Sequence, residues 1–453
     1  MFPAATPSPT LSPNANALPT PTNGSIQTIG AAISAAPTPA TIGASGLLAA
    51  STYRSRRATK SLACVKPMIT AAVDSANASN PNTLYPLVTI LRSRTLGLRT
   101  AAVQGRFRPF GSRRSGHPWR ALSSIHRMRA AVITRPGGPE VLEIHDVDPP
   151  RVGPDDVLVR VHASGLNRAD IHQRKGGYPA PPGSPADIPG LEYAGEIVEV
   201  GNAVRGFDVG ERVFGIAGGG AHAEMLAIPA RTAARVPDAL SWPDAGAIPE
   251  AFVTAHDALI SQAKLARGER LLIHAVGSGV GLAAVQVARA IGAIPFGTSR
   301  TADKIERAIP YGLEAGRPIR DASELAAIAQ EWAPNGFDVV LDLVGGAYTP
   351  ASIAALATKG RLMLVGLVAG ASATLDLRRV LSRRITIIGT VLRARTIDEK
   401  AAATQAFSRD LLPLFERGAL RAVVDRVFPL AAIADAHRRM ESNESFGKVV
   451  ITP

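Results

Sequence analysis

The chain has 453 residues, of which 46% are hydrophobic, so it is long enough for two or three domains with a sizeable core. Its formal net charge of +13 comes from residues 1–127, where 14 Lys and Arg accompany a single acid, while residues 128–453 hold 36 charges of each sign. The composition therefore excludes a strongly basic folded part, and the single cysteine, Cys64, excludes an intrachain disulfide or a thiolate metal cluster.

The first 127 residues are predicted to form a disordered extension. They are rich in Pro, Ala, Ser and Thr and accumulate arginine only from Arg54 onward, a composition that buries little apolar surface. Three interpretations stay open: a transit peptide, a basic tail that binds nucleic acid, or a start codon assigned too far upstream of Met128, which a strand-like segment follows directly. We expect a cytoplasmic protein, or an organellar one if the extension is a transit peptide. No run of about 18 apolar residues occurs, so no membrane span is expected.

Residues 128–250 are predicted to form a small, partly closed β-barrel. Short strand-like runs alternate there with turn signals such as Pro-Gly-Gly and Gly-Pro-Asp, and a loop-rich stretch occupies 165–183. The predicted strands are 130–134, 142–146, 157–163, 196–200 and 212–215.

Residues 251–384 are predicted to form a doubly wound parallel sheet, because strand-like and helical segments alternate along them. Pro295 conflicts with its predicted strand, since proline lacks a ladder donor. Residues 385–453 are predicted to return to the first domain, with helices near 397–417 and 433–442 and a last strand at 447–451. The strand-like runs of the parallel sheet are 271–275, 294–298, 338–342, 361–366 and 385–389.

A glycine turn between a short apolar strand and the helix predicted at 282–291 is the central motif of the second half. Gly277, Gly279 and Gly281 allow a diphosphate to approach the backbone, and the N-H groups and dipole of the helix start attract such an anion. The spacing departs from G-x-G-x-x-G, with Val276 and Ser278 among the glycines. A dinucleotide site and a tight turn without a ligand both remain possible from this segment alone.

The residues after the next strand indicate which dinucleotide would bind. An NAD-binding unit carries an acid about 20 residues past the first glycine, but this chain has Thr298, Ser299 and Arg300, with Lys304 one turn further. Hydroxyls and cations suit a 2'-phosphate, so NADPH is predicted over NADH. The alternative for Arg300 and Lys304 is a solvated helix start.

Several motifs together resemble the medium-chain dehydrogenase/reductase superfamily, in particular its zinc-free quinone oxidoreductases and their p53-inducible branch. The resemblance covers 128–453 and implies a GroES-like catalytic domain, a Rossmann domain that binds NADPH, and a homodimer formed through the cofactor domains. The motifs are Leu166-Asn-Arg-Ala-Asp170, Gly190-Leu-Glu192, Ile248-Pro-Glu-Ala-Phe-Val-Thr254, Ser278-Gly-Val-Gly281 and Gly447-Lys-Val-Val450.

The resemblance also implies that no metal is used. In zinc-dependent relatives a cysteine stands at the position of Asn167 and a histidine at that of Leu191, beside Glu192, and neither Asn nor Leu supplies the ligand that a catalytic zinc needs. The histidines do not form pairs at metal spacing, so His222, His256 and His274 are expected to be packed or half-exposed rather than ligands.

Site residues follow from the resemblance position by position. Asn167 and Tyr178 would border the acceptor pocket, Thr254 would bind the nicotinamide or its ribose, and Lys448 would approach the acceptor side. The alternatives are a helix cap for Asn167, loop packing for Tyr178, a plain helix-start residue for Thr254 and a surface lysine for Lys448. The diphosphate would meet Gly277, Ser278, Gly279, Val280 and Gly281, the 2'-phosphate Thr298, Ser299, Arg300 and Lys304, and the nicotinamide ribose Gly366 and Leu367.

The predicted function is an NADPH-dependent quinone oxidoreductase, with direct hydride or stepwise electron transfer to small quinones and neither zinc nor flavin. Quinones accept hydride readily, so the protein need supply only proximity, orientation and a dry pocket, and no ionisable catalytic residue is expected. Two alternatives stay open: an NADPH-dependent reductase of 2-alkenals or enones, and an NADPH-binding protein whose basic arm binds nucleic acid.

Overall fold

The computed structural model describes residues 127–453, which form three β-sheets and the helices packed on them. The predictions about the basic extension concern residues 1–126, outside this range. The ten helices within it are α1 Arg168–Arg174, α2 Trp242–Gly246, α3 Pro249–His256, α4 Gly279–Ala290, α5 Ala302–Ala308, α6 Leu325–Trp332, α7 Tyr348–Ala355, α8 Leu377–Arg383, α9 Ile397–Glu416 and α10 Ile433–Glu441.

The first half is a mainly antiparallel, barrel-like assembly, as predicted. Its strands are β1 Met128–Ile133, β2 Leu142–Val147, β3 Asp156–Gly165, β4 Glu192–Val200, β5 Arg212–Ile216, β6 Met225–Pro229 and β7 Ala233–Arg235, joined from the chain end by β14 Val424–Pro429 and β15 Lys448–Thr452. The larger sheet has the order β14-β15-β3-β4-β5-β7, with β6 also paired to β3, and β1 and β2 form a separate antiparallel pair. In β3, Val157, Val159 and Val161 are all buried on one face, which is the alternation expected of a strand that covers a core.

Helix α1, of seven residues, lies within the stretch predicted as loop. It begins after Asn167, whose backbone N-H donates to the Asp170 carboxylate at 2.8 Å, and its Ile171 is buried. An acidic group that accepts an N-H at a helix start stabilises that start. The Gly-Gly-Tyr-Pro composition of the following residues concealed this short helix in the sequence.

The second half is the predicted parallel sheet of Rossmann type. Its strands are β8 Arg270–Ile273, β9 Ile294–Ser299, β10 Ala315–Pro318, β11 Phe337–Asp342, β12 Leu356–Leu364 and β13 Thr386–Gly389. They are all parallel, in the order β10-β9-β8-β11-β12-β13. Numbered within the sheet this order is 3-2-1-4-5-6, so the topological switch point lies between β8 and β11, where doubly wound sheets bind their ligands.

The structure corrects two details of this half. Strand β13 is the sixth strand of the parallel sheet, so the return to the first domain begins after Gly389 and not at residue 385. Pro295 is tolerated although β9 has neighbours on both sides, because β10 begins to pair only at Phe296, one residue further along β9. The missing N-H of Pro295 therefore lies before the β10 ladder begins.

The two halves share one core, and the end of the chain joins them again. The largest cluster of buried apolar residues combines Phe214 of β5 with Leu271 of β8, Val285 of α4 and Phe407 of α9. The chain then returns beside the glycine turn, where the Gly447 N-H donates to the Gly277 carbonyl at 2.9 Å. The wall between the halves is therefore built from segments that are far apart in sequence. Among the helices of residues 127–453, none combines the length and apolarity needed to cross a bilayer.

Candidate functional site

The glycine turn lies at the switch point and leads directly into α4. The helix begins at Gly279, three residues before the predicted start, because Ser278 caps it: the Ser278 Oγ accepts the Gly281 N-H at 3.0 Å. The backbone N-H of Ser278 already donates to the Ala275 carbonyl, which leaves its hydroxyl proton as the group that it can offer a phosphate. Within the described residues, the N-H groups of Gly279 and Val280 have no assigned acceptor, as is usual for the first turn of a helix.

Close packing explains two of the glycines. A Cβ on Gly281 would lie 2.6 Å from the Val276 carbonyl oxygen, so only glycine lets α4 start so close to the end of β8. A Cβ on Gly279 would lie 2.5 Å from Cδ of Lys448, whose side chain passes over the turn. The glycine turn is therefore covered by a lysine from the last strand of the chain.

A cation cluster stands beside the turn. The Lys304 Nζ donates to the Asn443 carbonyl oxygen at 2.6 Å, and the Arg168 guanidinium donates to the side-chain oxygen of the same residue. Burial lowers the pKa of both Lys304 and Arg168, and in each case the charge of Arg300 lowers it further. An anion bound among these positive groups would stabilise their charged forms.

The hydroxyl residues predicted beside these cations are less available. Thr298 is 1% exposed, and its Oγ1 lies 2.9 Å from His274 Nδ1, so the structure places this hydroxyl in the core rather than toward a phosphate. Ser299 is also buried, whereas Arg300 is exposed. Of the four residues predicted at the 2'-phosphate, the structure brings Arg300 and Lys304 together and adds Arg168.

The residues predicted near the nicotinamide lie on α3 and at the end of β12. Thr254 is buried on α3, two residues before the end of that helix and not at its start. Gly366 and Leu367 follow β12, where the Gly366 N-H donates to the Asp342 carbonyl at 3.2 Å and Leu367 is half-exposed. The Asp342 carboxylate accepts the Gly345 N-H at 2.8 Å, so one buried acid helps to hold the loops after β11 and β12.

Asn167 is the N-cap residue of α1, and its side chain is also part of a buried hydrogen-bond network. Its Oδ1 accepts a hydrogen bond from Lys448 Nζ at 2.6 Å, and its Nδ2 donates to Glu192 Oε1 at 2.9 Å. Lys448 also donates to the Leu166 carbonyl at 2.9 Å and forms an ion pair with Glu192 at 2.6 Å. Lys448 is 5% exposed and Glu192 is fully buried, so the surface-lysine alternative does not describe Lys448.

Tyr178 lies in the loop after α1, with its ring against an arginine from the other end of the chain. The Arg393 guanidinium carbon is 5.0 Å from the ring centroid, and Nη1 donates to the Tyr178 carbonyl at 3.1 Å. Arg393 is itself buried and also donates to Gly218 and to Gln173. Burial raises the pKa of the Tyr178 hydroxyl, so this group is a hydrogen-bond donor at neutral pH.

An ionisable residue that the sequence analysis did not single out lies next to the buried network of Asn167. Glu250, the second residue of α3, donates its backbone N-H to Glu192 Oε2 at 2.8 Å and so adjoins the buried network. Burial, reinforced by the charge of Glu192, raises the pKa of the Glu250 carboxyl to about 8. Its side chain is half-buried.

The sequence contained signals for two of the three residues that were missed. Glu250 stands four positions before Thr254 in a motif that was already singled out, and that spacing places both on one helix face. Arg168 directly follows Asn167. No local pattern indicates Arg393, because its partners Tyr178 and Gln173 lie more than 200 residues away in the chain.

The histidines are packed, as the sequence suggested. His222, His256 and His274 are all at most 1% exposed, and burial lowers the pKa of His274 to about 4, which keeps it neutral. Its two ring nitrogens lie within hydrogen-bond distance of Thr298 and Ser352. In residues 127–453 no three His, Cys, Asp or Glu side chains are grouped in a way that would hold a metal ion.

Known proteins resemble this chain along nearly all of the described residues. The family described as alcohol dehydrogenase GroES-like domain matches 153–238, and that described as zinc-binding dehydrogenase matches 313–451. A quinone oxidoreductase of Homo sapiens is 30% identical over 72% of this chain and 97% of its own length. A mycobacterial protein solved in complex with NADPH has a TM-score of 0.66 at 29% identity, over 72% of this chain and all of its own. The enoyl reductase CurK has a TM-score of 0.63 at 26% identity, over 72% of this chain and 99% of its own.

The residues present do not fit the zinc ion that one of these family descriptions mentions. Asn167 and Leu191 replace the two ligand types, and the ammonium of Lys448 lies between Asn167 Oδ1 and Glu192 Oε1. A fixed positive charge held by these oxygens opposes a second cation at the same place.

Proposed function

The chain belongs to the medium-chain dehydrogenase/reductase family, among its quinone oxidoreductase-like members, and we propose that it reduces small quinones with NADPH, without a metal or a flavin. One observation carries the proposal: the glycine turn has a cation cluster beside Gly277, where Lys304 lies, and a buried ammonium network beside Gly279, where Lys448 lies. The motifs around Asn167 and Glu250 further support an assignment to the p53-inducible branch.

The cofactor proposal assigns a part of the site to each phosphate. The N-H groups of Gly279 and Val280 and the hydroxyl of Ser278 would hold the diphosphate at the start of α4. The cation cluster of Arg168, Arg300 and Lys304 would hold the 2'-phosphate, which distinguishes NADPH from NADH. The NADPH-bound mycobacterial relative supports this choice. When bound, the reduced nicotinamide supplies a hydride.

The acceptor would lie between Asn167 and Tyr178. The amide of Asn167 is fixed by Glu192 and Lys448, so it presents one orientation to a ligand. The ring and the protonated hydroxyl of Tyr178 offer a flat contact and a donor to a quinone oxygen. These residues orient the acceptor and exclude water, and a small quinone needs little more because its reduced form is aromatic.

A second candidate function is the reduction of activated carbon-carbon double bonds. Two observations favour it: the carboxyl of Glu250, with a pKa of about 8, beside the same network, and the likeness to an enoyl reductase. A reduced alkene must receive a proton on carbon, which water supplies less readily than it supplies a proton to oxygen.

Steady-state oxidation of NADPH with a small ortho-quinone and with a 2-alkenal tests the proposal. We expect turnover with the quinone, without added metal, at a kcat/KM at least equal to that with the alkenal. A preference for the alkenal by about tenfold, which is 1.4 kcal/mol of transition-state stabilisation, would assign the chain to the second function. No oxidation of NADPH with either acceptor would refute both.

A homodimer through the cofactor domains is part of the proposal. Strand β13 is an edge of the parallel sheet, and exposed apolar residues surround it: Leu381 is 79% exposed, Leu377 71% and Ile387 40%. An unpaired edge with such neighbours suits a second copy related by a twofold axis. Sedimentation should show a dimer that Leu381→Glu converts to a monomer, while Val209→Glu, at another exposed apolar residue, leaves the dimer intact. A monomeric wild type would contradict the dimer.

A further inference from the structure

Glu250 lies beside the network of Glu192, Asn167 and Lys448, although the hydride chemistry proposed for quinones makes no use of it. The Glu250 N-H donates to Glu192, which forms an ion pair with Lys448 and accepts a hydrogen bond from Asn167. Glu250 is therefore fixed next to residues proposed at the acceptor. Thr254 lies four residues further along α3 and shares its face. Glu250 therefore stands between the residue expected at the nicotinamide and the residues expected at the acceptor.

The Glu250 carboxyl is left free by its surroundings. Within residues 127–453 no hydrogen-bond donor is assigned to its two oxygens, and the side chain is neither sealed in the core nor open to bulk solvent. The charged and titratable groups that act on it or are acted on by it come from several elements: Asp170 of α1, Tyr178 of the following loop, Glu192 of β4, Arg393 before α9, Lys400 of α9 and Lys448 of β15.

Two of the nearby cations, Lys448 and Arg393, do not pair with Glu250 because their hydrogen bonds are already used, and the third, Lys400, lowers its pKa less than burial and Glu192 raise it. Lys448 is engaged by Glu192, Asn167 and Leu166, and Arg393 donates to three other acceptors. Burial and the charge of Glu192 therefore dominate over Lys448 and Lys400, and the pKa of Glu250 rises to about 8. At neutral pH the carboxyl holds its proton.

We propose that Glu250 is the proton donor of the acceptor site, and that its carboxylic acid allows the site to reduce activated carbon-carbon double bonds as well as quinones. This inference rests on the proposed function, which supplies the hydride. An alkenal that has gained a hydride at its β-carbon is a two-electron-reduced enolate, and a quinone becomes a hydroquinone anion. The O-H bond of Glu250 breaks, a C-H or O-H bond forms on the acceptor, and the Glu250 carboxylate regains a proton from solvent.

The first test needs no turnover. Infrared difference spectra of the cofactor-free full chain, wild type against Glu250→Gln, are recorded as the pH is raised from neutral. We expect a protonated-carboxyl band that only the wild type has and that disappears with a midpoint near pH 8. A carboxyl that is already ionised at neutral pH would overturn the proposal.

Thermal unfolding of the same two proteins gives an independent readout. Because the folded-state pKa is raised from 4.5 to about 8, the wild type loses relative stability as the pH rises through that interval, whereas Gln at this position does not titrate. The Tm of Glu250→Gln minus that of the wild type should therefore grow between these pH values and level off above pH 8. A difference that does not change with pH would contradict the raised pKa.

Kinetics then separate proton donation from a structural role. Glu250→Gln should lower kcat for the alkenal about a hundredfold, the usual contribution of a general acid, but lower kcat for the ortho-quinone less than about tenfold because water can protonate its anion. Wild-type alkenal reduction should decline above pH 8 and the residual rate of Glu250→Gln should not, while Glu250→Asp should restore part of both the rate and the pH dependence.

Glu314→Gln, at an exposed ion pair with Arg289, is the matched control and should match the wild type in every measurement. If Glu250→Gln reduces the alkenal at the wild-type rate with the wild-type pH profile, the donor role fails and the proposed function stands. If the wild type oxidises NADPH with neither acceptor, the proposed function fails and the donor role fails with it.

Discussion

The two ends of the glycine turn differ in how their charged side chains are compensated. At the phosphate end, Arg300 lies close enough to Arg168 and Lys304 to lower the pKa of both, and Arg300 is exposed. At the acceptor end, the buried charges of Lys448 and Glu192 compensate each other within 2.6 Å. The positive charges at the phosphate end are compensated only when an anionic ligand binds, whereas the Lys448 and Glu192 charges compensate each other without a ligand. Neutralising the phosphate-end cations should therefore weaken ligand binding, and removing one partner of the Lys448–Glu192 pair should destabilise the fold.

Lys448→Met tests the acceptor end and should have the largest effect. The substitution leaves the Glu192 carboxylate and Asn167 Oδ1 buried without their cation, and removing one partner of a buried pair typically costs about 3–5 kcal/mol. Denaturant unfolding should show a loss of this size in the free energy of unfolding. The double variant Lys448→Met, Glu192→Gln should recover much of it, because the uncompensated charge is gone.

The matched control for that prediction is Lys175→Met. Lys175 also pairs with a glutamate, Glu441, at 2.7 Å, but its side chain is 54% exposed. A surface pair of this kind contributes about 1 kcal/mol or less. If the two lysine variants lost equal stability, or if Lys448→Met unfolded like the wild type, the distinction between a closed and an open end would be wrong.

Neutralising the cation cluster should have the next largest effect, and on binding alone. Arg300→Gln with Lys304→Gln should weaken NADPH by roughly a hundredfold and NADH only slightly, because one hydrogen bond to a charged group contributes about 1.5–3 kcal/mol. Arg168→Gln alone should weaken NADPH about tenfold by the same reasoning. Fluorescence titration with both nucleotides measures the ratio.

The control for the cation cluster is Arg289→Gln, an exposed arginine paired with Glu314 on the outside of α4. It should leave both affinities unchanged. An equal loss of NADPH and NADH in the double variant would show that the cations meet a group that the two nucleotides share.

The same contrast explains what the sequence could and could not predict. The glycines and cations of the phosphate end mostly follow β8 and β9 directly, so they lie close together in the sequence and could be predicted from it. Of its three cations, only Arg168 comes from another part of the chain. Thr298, predicted at the 2'-phosphate, directs its hydroxyl toward His274 directly after the neighbouring strand β8, a contact that the sequence of β9 alone does not reveal. The parallel direction of the strands in the second half could be predicted from the alternation of strands and helices.

The acceptor end was predicted only from the family resemblance and not from local patterns, because it joins residues that are distant in the chain. Asn167 and Lys448 are 281 positions apart, and Arg393 lies 215 positions from Tyr178. The return of β15 to β3 brings Lys448 to Asn167, and the segment before α9 brings Arg393 to Tyr178. The raised pKa of Glu250 also depends on elements outside its own helix, since burial raises it most and the charge of Glu192 of β4 raises it further. A helix motif read alone contains the carboxyl but not the environment that keeps it protonated.

Substituting Ser278 should affect both the stability of the fold and the binding of NADPH, and both changes should be small. Its Oγ caps α4 through the Gly281 N-H, and its hydroxyl proton can meet the diphosphate. Ser278→Ala should cost about 1 kcal/mol of unfolding free energy, whereas Ser278→Gly should cost only a few tenths, because glycine is a tolerated N-cap. Both variants lose the hydroxyl, so both should weaken NADPH equally and by less than about tenfold, as for one hydrogen bond. If NADPH affinity instead followed stability, with Ala far worse than Gly, Ser278 would act on the cofactor only through the helix that it caps. The diphosphate would then be held by the N-H groups of Gly279 and Val280 and not by the serine hydroxyl.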